Sequence, residues 1–167
     1  MSKPIQIVDE NDYPTSEGTK QEAWDNGLRH RVVRIMIEND AGEILLQHRS
    51  PTKDIFPDCW DNSAAGHVDA GEDYDQAAIR ELEEELGLSG IKLTQIGKYA
   101  SDETWKGHRL KRFTTVYKAH SDQTPQKLEA GKVDDARWFK LGDVKAMIEN
   151  QPDKVSDGLR QVIERYY

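Results

Sequence analysis

The chain has 167 residues, 36% hydrophobic and 32% charged, which excludes a disordered or fibrous polymer and suits one folded domain spanning 1–167. Its net charge of −8 excludes the broad basic face that nucleic-acid or anionic-membrane binding needs, and no apolar run reaches the length of a membrane span. Cys59 is the one cysteine, so an internal disulfide framework is excluded and a reducing, cytoplasmic setting is expected.

Met1–Glu10 shows no basic region followed by an apolar run, so no signal peptide is expected. Ile5-Gln6-Ile7-Val8 reads as a short strand closed by the turn-rich Asp9–Pro14, and residues 1–27 as an N-terminal hairpin or arm packed across the domain. Arg31–Glu38 is a predicted strand, Asn39–Gly42 a hairpin turn and Glu43–His48 the returning strand. Pro51 and Pro57 bracket a loop leading into Trp60–Gly66. Asp73–Leu86, rich in Ala, Glu and Leu, predicts a helix stopped by Gly87 at its C-cap. Strand-like runs recur at Ile91–Tyr99, Arg112–Tyr117 and Ala136–Phe139, and helices are predicted over Leu141–Glu149 and Val155–Tyr166. This alternation predicts an α/β (α+β) fold, a mixed sheet between helices.

Charge is concentrated in one place. Between Gly66 and Leu88 stand eight acids (Asp69, Glu72, Asp73, Asp75, Glu81, Glu83, Glu84, Glu85) and one base, Arg80, a net −7. So many carboxylates are costly unless cations or solvent neutralise them. At 100° per residue, Glu81, Glu84 and Glu85 fall at about 0°, 300° and 40°, on one helix face. Ala78, Ile79, Leu82 and Leu86 fall between about 60° and 160°, the expected core stripe. A solvated acidic helix is the plain alternative, but it would interleave Lys or Arg, whereas Glu81 and Glu85 are a like-charge pair. Three converging oxygen ligands are what a hard divalent cation requires.

Gly66, five residues, Glu72, seven residues, then Arg80-Glu81-Leu82-Glu83-Glu84-Glu85-Leu86-Gly87-Leu88 matches the Nudix box at every specified position, so the chain resembles the Nudix hydrolase superfamily over these 23 residues. The resemblance implies an α-β-α sandwich with a mixed central sheet. It implies hydrolysis of a nucleoside diphosphate linked to another moiety, with Mg²⁺ or Mn²⁺ as cofactor. Glu81, Glu84 and Glu85 would hold the metal with the backbone carbonyl of Gly66. Arg80 would pair with Glu72 and orient the cluster, making Glu72, Arg80, Glu84 and Glu85 the catalytic set. Gly71 would turn the loop into the helix.

A narrower likeness precedes the box. Arg49-Ser50-Pro51-Thr52-Lys53, Phe56–Asn62 and, more loosely, Asp9–Asp12 and His30-Arg31 resemble the isopentenyl-diphosphate isomerases and their hydrolase-like relatives. By that likeness Arg49 and Lys53 would contact the substrate diphosphate. His30 and His67 would be metal or substrate neighbours. The departures favour hydrolysis. Ala65 stands where isomerases carry a catalytic Cys, Trp24 where they carry a metal-site His, and Arg109–Phe113 offers bases where they carry a carboxylate. Cys59 lies too far upstream of Ala65 to replace the thiol.

The expected reaction is attack of a metal-activated water on a small-molecule diphosphate. Glu84, Glu85, Glu103 and Glu129 remain open as the base. A nucleoside di- or triphosphate, a nucleotide sugar and an isoprenoid-like diphosphate remain open as substrate, with Trp105 either stacking on a base or packing. No nucleic-acid or membrane partner is expected, and a homodimer is left open. Isomerisation, or ligand sensing without turnover, are the competing functions.

Overall fold

A computed structural model describes residues 3–167; Met1 and Ser2, where the stretch read for a leader begins, lie outside the described residues. Among the described residues there are nine strands and four α-helices. β1 (Ile5–Val8) and β2 (Pro14–Gly18) form a hairpin, followed by α1 (Lys20–Asn26). β3 (His30–Glu38) turns into β4 (Ile44–Arg49); β5 (Trp60–Asp61) and β6 (Ala64–His67) are short and lead to α2 (Tyr74–Leu86). β7 (Thr94–Trp105) and β8 (His108–His120) form a long hairpin, and β9 (Val133–Phe139) precedes α3 (Leu141–Asn150) and α4 (Asp157–Tyr166).

β3 organises the sheet. It pairs antiparallel with β4 and β6 and parallel with β8 from His30↔Arg112 to Glu38↔His120, while β9 pairs with β4. Successive strand residues face opposite sides. Val33, Ile35 and Ile37 therefore pack with Ala78, Leu82 and Leu86 of α2 on one side, and Met36 packs with Leu159, Val162 and Ile163 of α4 on the other. A strand apolar on both faces must be covered on both, so the mixed sheet lies between helices. This is the α-β-α sandwich expected.

α2 starts on a capping box: Asp73 accepts from the Gln76 N–H while Gln76 accepts from the Asp73 N–H. Its buried arc includes Ala77 and the two carboxylates Glu81 and Glu85, whereas Ile79 is 53% exposed. The expected stripe that included Ile79 is thus corrected: the helix is rolled toward Glu81, because Gly66 leaves room beside it. Two more differences concern local signals. α1 is too short for a periodic pattern, and rests on the Thr19 N-cap and two buried residues, Ala23 and Trp24. β7 begins at Thr94, not the expected Ile91, and β7 and β8 run well past the expected Tyr99 and Arg112 ends, because paired backbone, not apolar alternation, carries the hairpin out to Trp105↔His108.

Candidate active site

One cleft lies where α2, α1, the β4–β5 loop and the start of α4 approach β3, β6 and β8. Gly66 on β6 sets its geometry. A Cβ on Gly66 would stand 2.1 Å from Cδ of Glu81, so only glycine lets that carboxylate lie against the strand. Glu85, one turn further along α2, is also buried. Its Oε1 accepts from the Ala65 N–H at 2.8 Å and from Nε2 of Gln47 at 3.0 Å.

Arg80 anchors the other side. Nε and Nη2 donate to the two oxygens of Glu72 at 2.8 and 2.9 Å, a bidentate fork, and Nη2 also donates to the His67 carbonyl at 3.0 Å. Nη1 donates to Glu81 at 2.8 Å and to Glu84 at 3.2 Å. One guanidinium thereby ties the box turn to the helix, and Glu72 above all pushes its pKa up. The three-carboxylate convergence expected on α2 holds in part: Glu81 and Glu85 face the cleft, while Glu84 is exposed and turned onto Arg80.

Burial, and then the Glu81 charge, push the Glu85 carboxyl up to about 8; burial raises Glu81 as well. Facing them are cations. Lys53 is pushed down to about 8 by burial and by Arg49, and Lys20 of α1 is lowered by burial and by Lys132. Buried acids with raised pKa opposite ammonium groups with lowered pKa mark a desolvated charged cleft, the setting of a functional site. The donors are oxygens, the carboxylates are crowded, and the glycine cradle holds Glu81 in place. A hard divalent cation fits that set.

Lys53 lines the cleft as expected of a diphosphate contact. Arg49 lines it too, but spends its donors on the Phe56 and Ile55 carbonyls and on Asp61, so it braces the loop. His67 lines the cleft, stacked on His30 at 5.3 Å. Burial lowers His67 well below the ordinary value and His30 to about 4, so both rings are neutral near pH 7. Ala65 and Trp24 line the cleft, whereas Glu103, Glu129, Trp105 and Cys59 do not. Glu129 pairs with Lys132 at 3.0 Å, Glu103 accepts from Gln161 at 3.2 Å, and Trp105 packs on Phe56 and His108 at the hairpin tip. Burial pushes the Cys59 thiol up to about 11.

Sequence reasoning missed Lys20, Lys132, Asp61 and Asp157, read Arg34 only as a strand residue, and noted Arg112 only as one of the bases of Arg109–Phe113 that stand where isomerases carry a carboxylate. A charge inside an otherwise apolar strand (Arg34 in Val-Val-Arg-Ile-Met-Ile) was the available signal for one of them. Nothing local marks Lys20 or Lys132.

The NUDIX domain matches residues 28–166 of the sequence, and the chain belongs to the Nudix family. It is a Nudix hydrolase, of the class that acts on pyrophosphate linkages. An uncharacterized Nudix hydrolase of Pseudomonas aeruginosa is 39% identical over 136 residues, 81% of this chain and 78% of that one. An isopentenyl-diphosphate Δ-isomerase of Nocardia farcinica is 31% identical over 164 residues, 96% of this chain and 93% of that one. Among solved structures, DR0079 of Deinococcus radiodurans superposes with a TM-score of 0.85 at 26% identity, covering 99% of both chains.

Proposed function

We propose that this chain hydrolyses a diphosphate linkage in a small nucleoside diphosphate-type substrate, with Mg²⁺ or Mn²⁺ held by Glu81, Glu84, Glu85 and the Gly66 carbonyl. The observation that carries the reading is the meeting of buried Glu81 and Glu85 with Lys20, Lys53 and Lys132 at one cleft. Such a cation supplies charge neutralisation on phosphate oxygens and a water of lowered pKa. The protein's own groups do the rest. Lys20, Lys53 and Lys132 attract and orient the phosphates by charge. Arg80, locked to Glu72, fixes where the Glu81 oxygens point. Of the four carboxylates open as base, Glu85 is the one that lines the cleft; Glu84 sits next to it on the exposed side of α2, and Glu103 and Glu129 stand on other segments, which favours Glu85. Trp24, Ile55 and Phe56 offer an apolar wall for the organic part of the substrate.

The isomerase likeness gives a second reading, isomerisation of an allylic diphosphate. Against it, the cleft holds Ala65 and no thiol, and Cys59 is buried elsewhere with its sulfur on the Pro57 and Asp153 carbonyls. The test is release of phosphate or nucleoside monophosphate from a panel of nucleoside diphosphates, nucleoside triphosphates, nucleotide sugars and isoprenyl diphosphates, with Mg²⁺ and with chelator. Glu84→Gln and Glu85→Gln should each lower turnover about a hundred-fold or more. Near-normal activity in both variants would overturn the metal assignment. A shifted double bond with the diphosphate intact would favour isomerisation instead.

A further inference from the structure

A second charged cluster in the cleft is buried as deeply as the carboxylate pair of α2. Arg34 and Arg112, each 4% exposed, lie among the lining residues with Asp61 at 2% and Asp157 at 8%. The register His30↔Arg112 and Arg34↔Val116 puts both arginines on the same face of the sheet, the face covered by α4. Oδ1 of Asp61 is already full, accepting from the Asn62 N–H at 2.8 Å, Asn62 Nδ2 at 2.9 Å and Ser156 Oγ at 2.8 Å, while Oδ2 accepts from Arg49 Nη1 at 3.1 Å. Arg34 consequently stands 3.7 Å away, an ion pair without a hydrogen bond. The Tyr99 hydroxyl beside it can take one of its five N–H groups. Arg112 gives one N–H to Asp157. The Nε–H groups of both arginines are buried with no partner.

Two facts follow about any ligand that reaches this end. Three guanidinium groups (Arg34, Arg49, Arg112) meet two carboxylates (Asp61, Asp157), so the cluster carries one positive charge in excess. It also has more donors than acceptors, and buried donors without acceptors are costly. Close packing holds the donors in place: a Cβ on Gly158 would stand 1.8 Å from Nη1 of Arg34, so only glycine at the start of α4 leaves room for that guanidinium. What completes such a site is a compact, acceptor-rich anion. An apolar chain would leave the donors unpaired, and a second esterified group would bring too few acceptors.

We propose that Arg34 and Arg112 form a terminal-phosphate subsite, so that the substrate is a diphosphate or triphosphate ester with a free phosphate end, not a diphosphate bridging two organic groups. This rests on the hydrolase reading above. Arg34 and Arg112 are then specificity-determining residues, and Asp61 and Asp157 hold them in position.

The test is binding by the whole chain, in chelator, of a methylene-bridged nucleoside diphosphate and of the same compound with its terminal phosphate methylated. The uncapped compound should bind at least about ten-fold tighter. In the charge-neutral double variant Arg112→Gln/Asp157→Asn the difference should shrink to about two-fold or less. Equal affinities in the wild type, or a preference that survives in the double variant, would overturn the subsite. The wild-type comparison keeps the subsite falsifiable even if the variant fails to fold, because equal affinities overturn it. The parallel turnover assay separates the two ideas. Hydrolysis with no preference for a free phosphate sinks the subsite alone, and a binding preference with no hydrolysis of any diphosphate sinks the hydrolase reading.

Discussion

Replacing Glu85 by Gln should stabilise the metal-free protein at alkaline pH while abolishing its activity. Burial and Glu81 raise the Glu85 carboxyl from the ordinary 4.5 to about 8, so between those pH values the folded chain holds a proton that the unfolded chain has released. Stability contributed by the protonated carboxyl is complete below about 4.5 and is lost as pH rises through about 8. At about 1.4 kcal/mol per pH unit, the gap from 4.5 to about 8 sets a ceiling of about 5 kcal/mol. Sharing of protons with Glu81 and relaxation of the site lower that, and about 2–4 kcal/mol is the working figure. Gln is isosteric, and its carbonyl oxygen can still accept from the Ala65 N–H and from Gln47, both of which now donate to one oxygen of Glu85. Glu85→Gln should therefore match the wild type at pH 5 and exceed it by roughly 4–16 °C in Tm at pH 8.5, using about 2–4 °C per kcal/mol for a chain of this size. The assay is thermal unfolding in chelator across that pH range. A variant no more stable than wild type at pH 8.5, or a gap that does not change with pH, would refute the account of the carboxylate pair.

Gly66→Ala should cost about 1–3 kcal/mol in denaturant unfolding and lower turnover about ten-fold or more, because the methyl group would displace Glu81 from the strand; unchanged Mg²⁺ dependence would contradict the cradle. Lys20→Met should raise KM about ten-fold with kcat changed much less, and should leave Tm equal or higher, since it removes a desolvated ammonium. A fall in kcat with KM constant would place Lys20 outside substrate binding.

The box helix was legible because its signals are local. Capping by Asp73, arrest at Gly87 and the spacing of Arg80, Glu81, Glu84 and Glu85 all lie within one continuous segment. The rotation of that helix was not. Angular counting made Ile79 a core residue and grouped Glu84 with Glu81 and Glu85, whereas Ile79 is exposed and Glu84 sits on Arg80. A helical wheel gives relative angles, and the absolute roll is set by what the helix packs on, here Gly66. The Arg49 and Lys53 pair shows the same divide. Both reach the cleft, but the Ile55 and Phe56 carbonyls claim Arg49, and only folding of the loop brings them to it.

The linear chain determined where the acidic box helix lies and that a strand apolar on both faces must be sandwiched, because periodicity, capping and charge density act over a few residues. Tertiary structure alone decided which further cations join Lys53 in the cleft. Lys20, Arg34, Arg112 and Lys132 come from α1, β3, β8 and the approach to β9, segments with no common local pattern. Their convergence follows from strand register and helix docking, which bring together charges that are far apart in sequence and give them their chemistry by removing water around them.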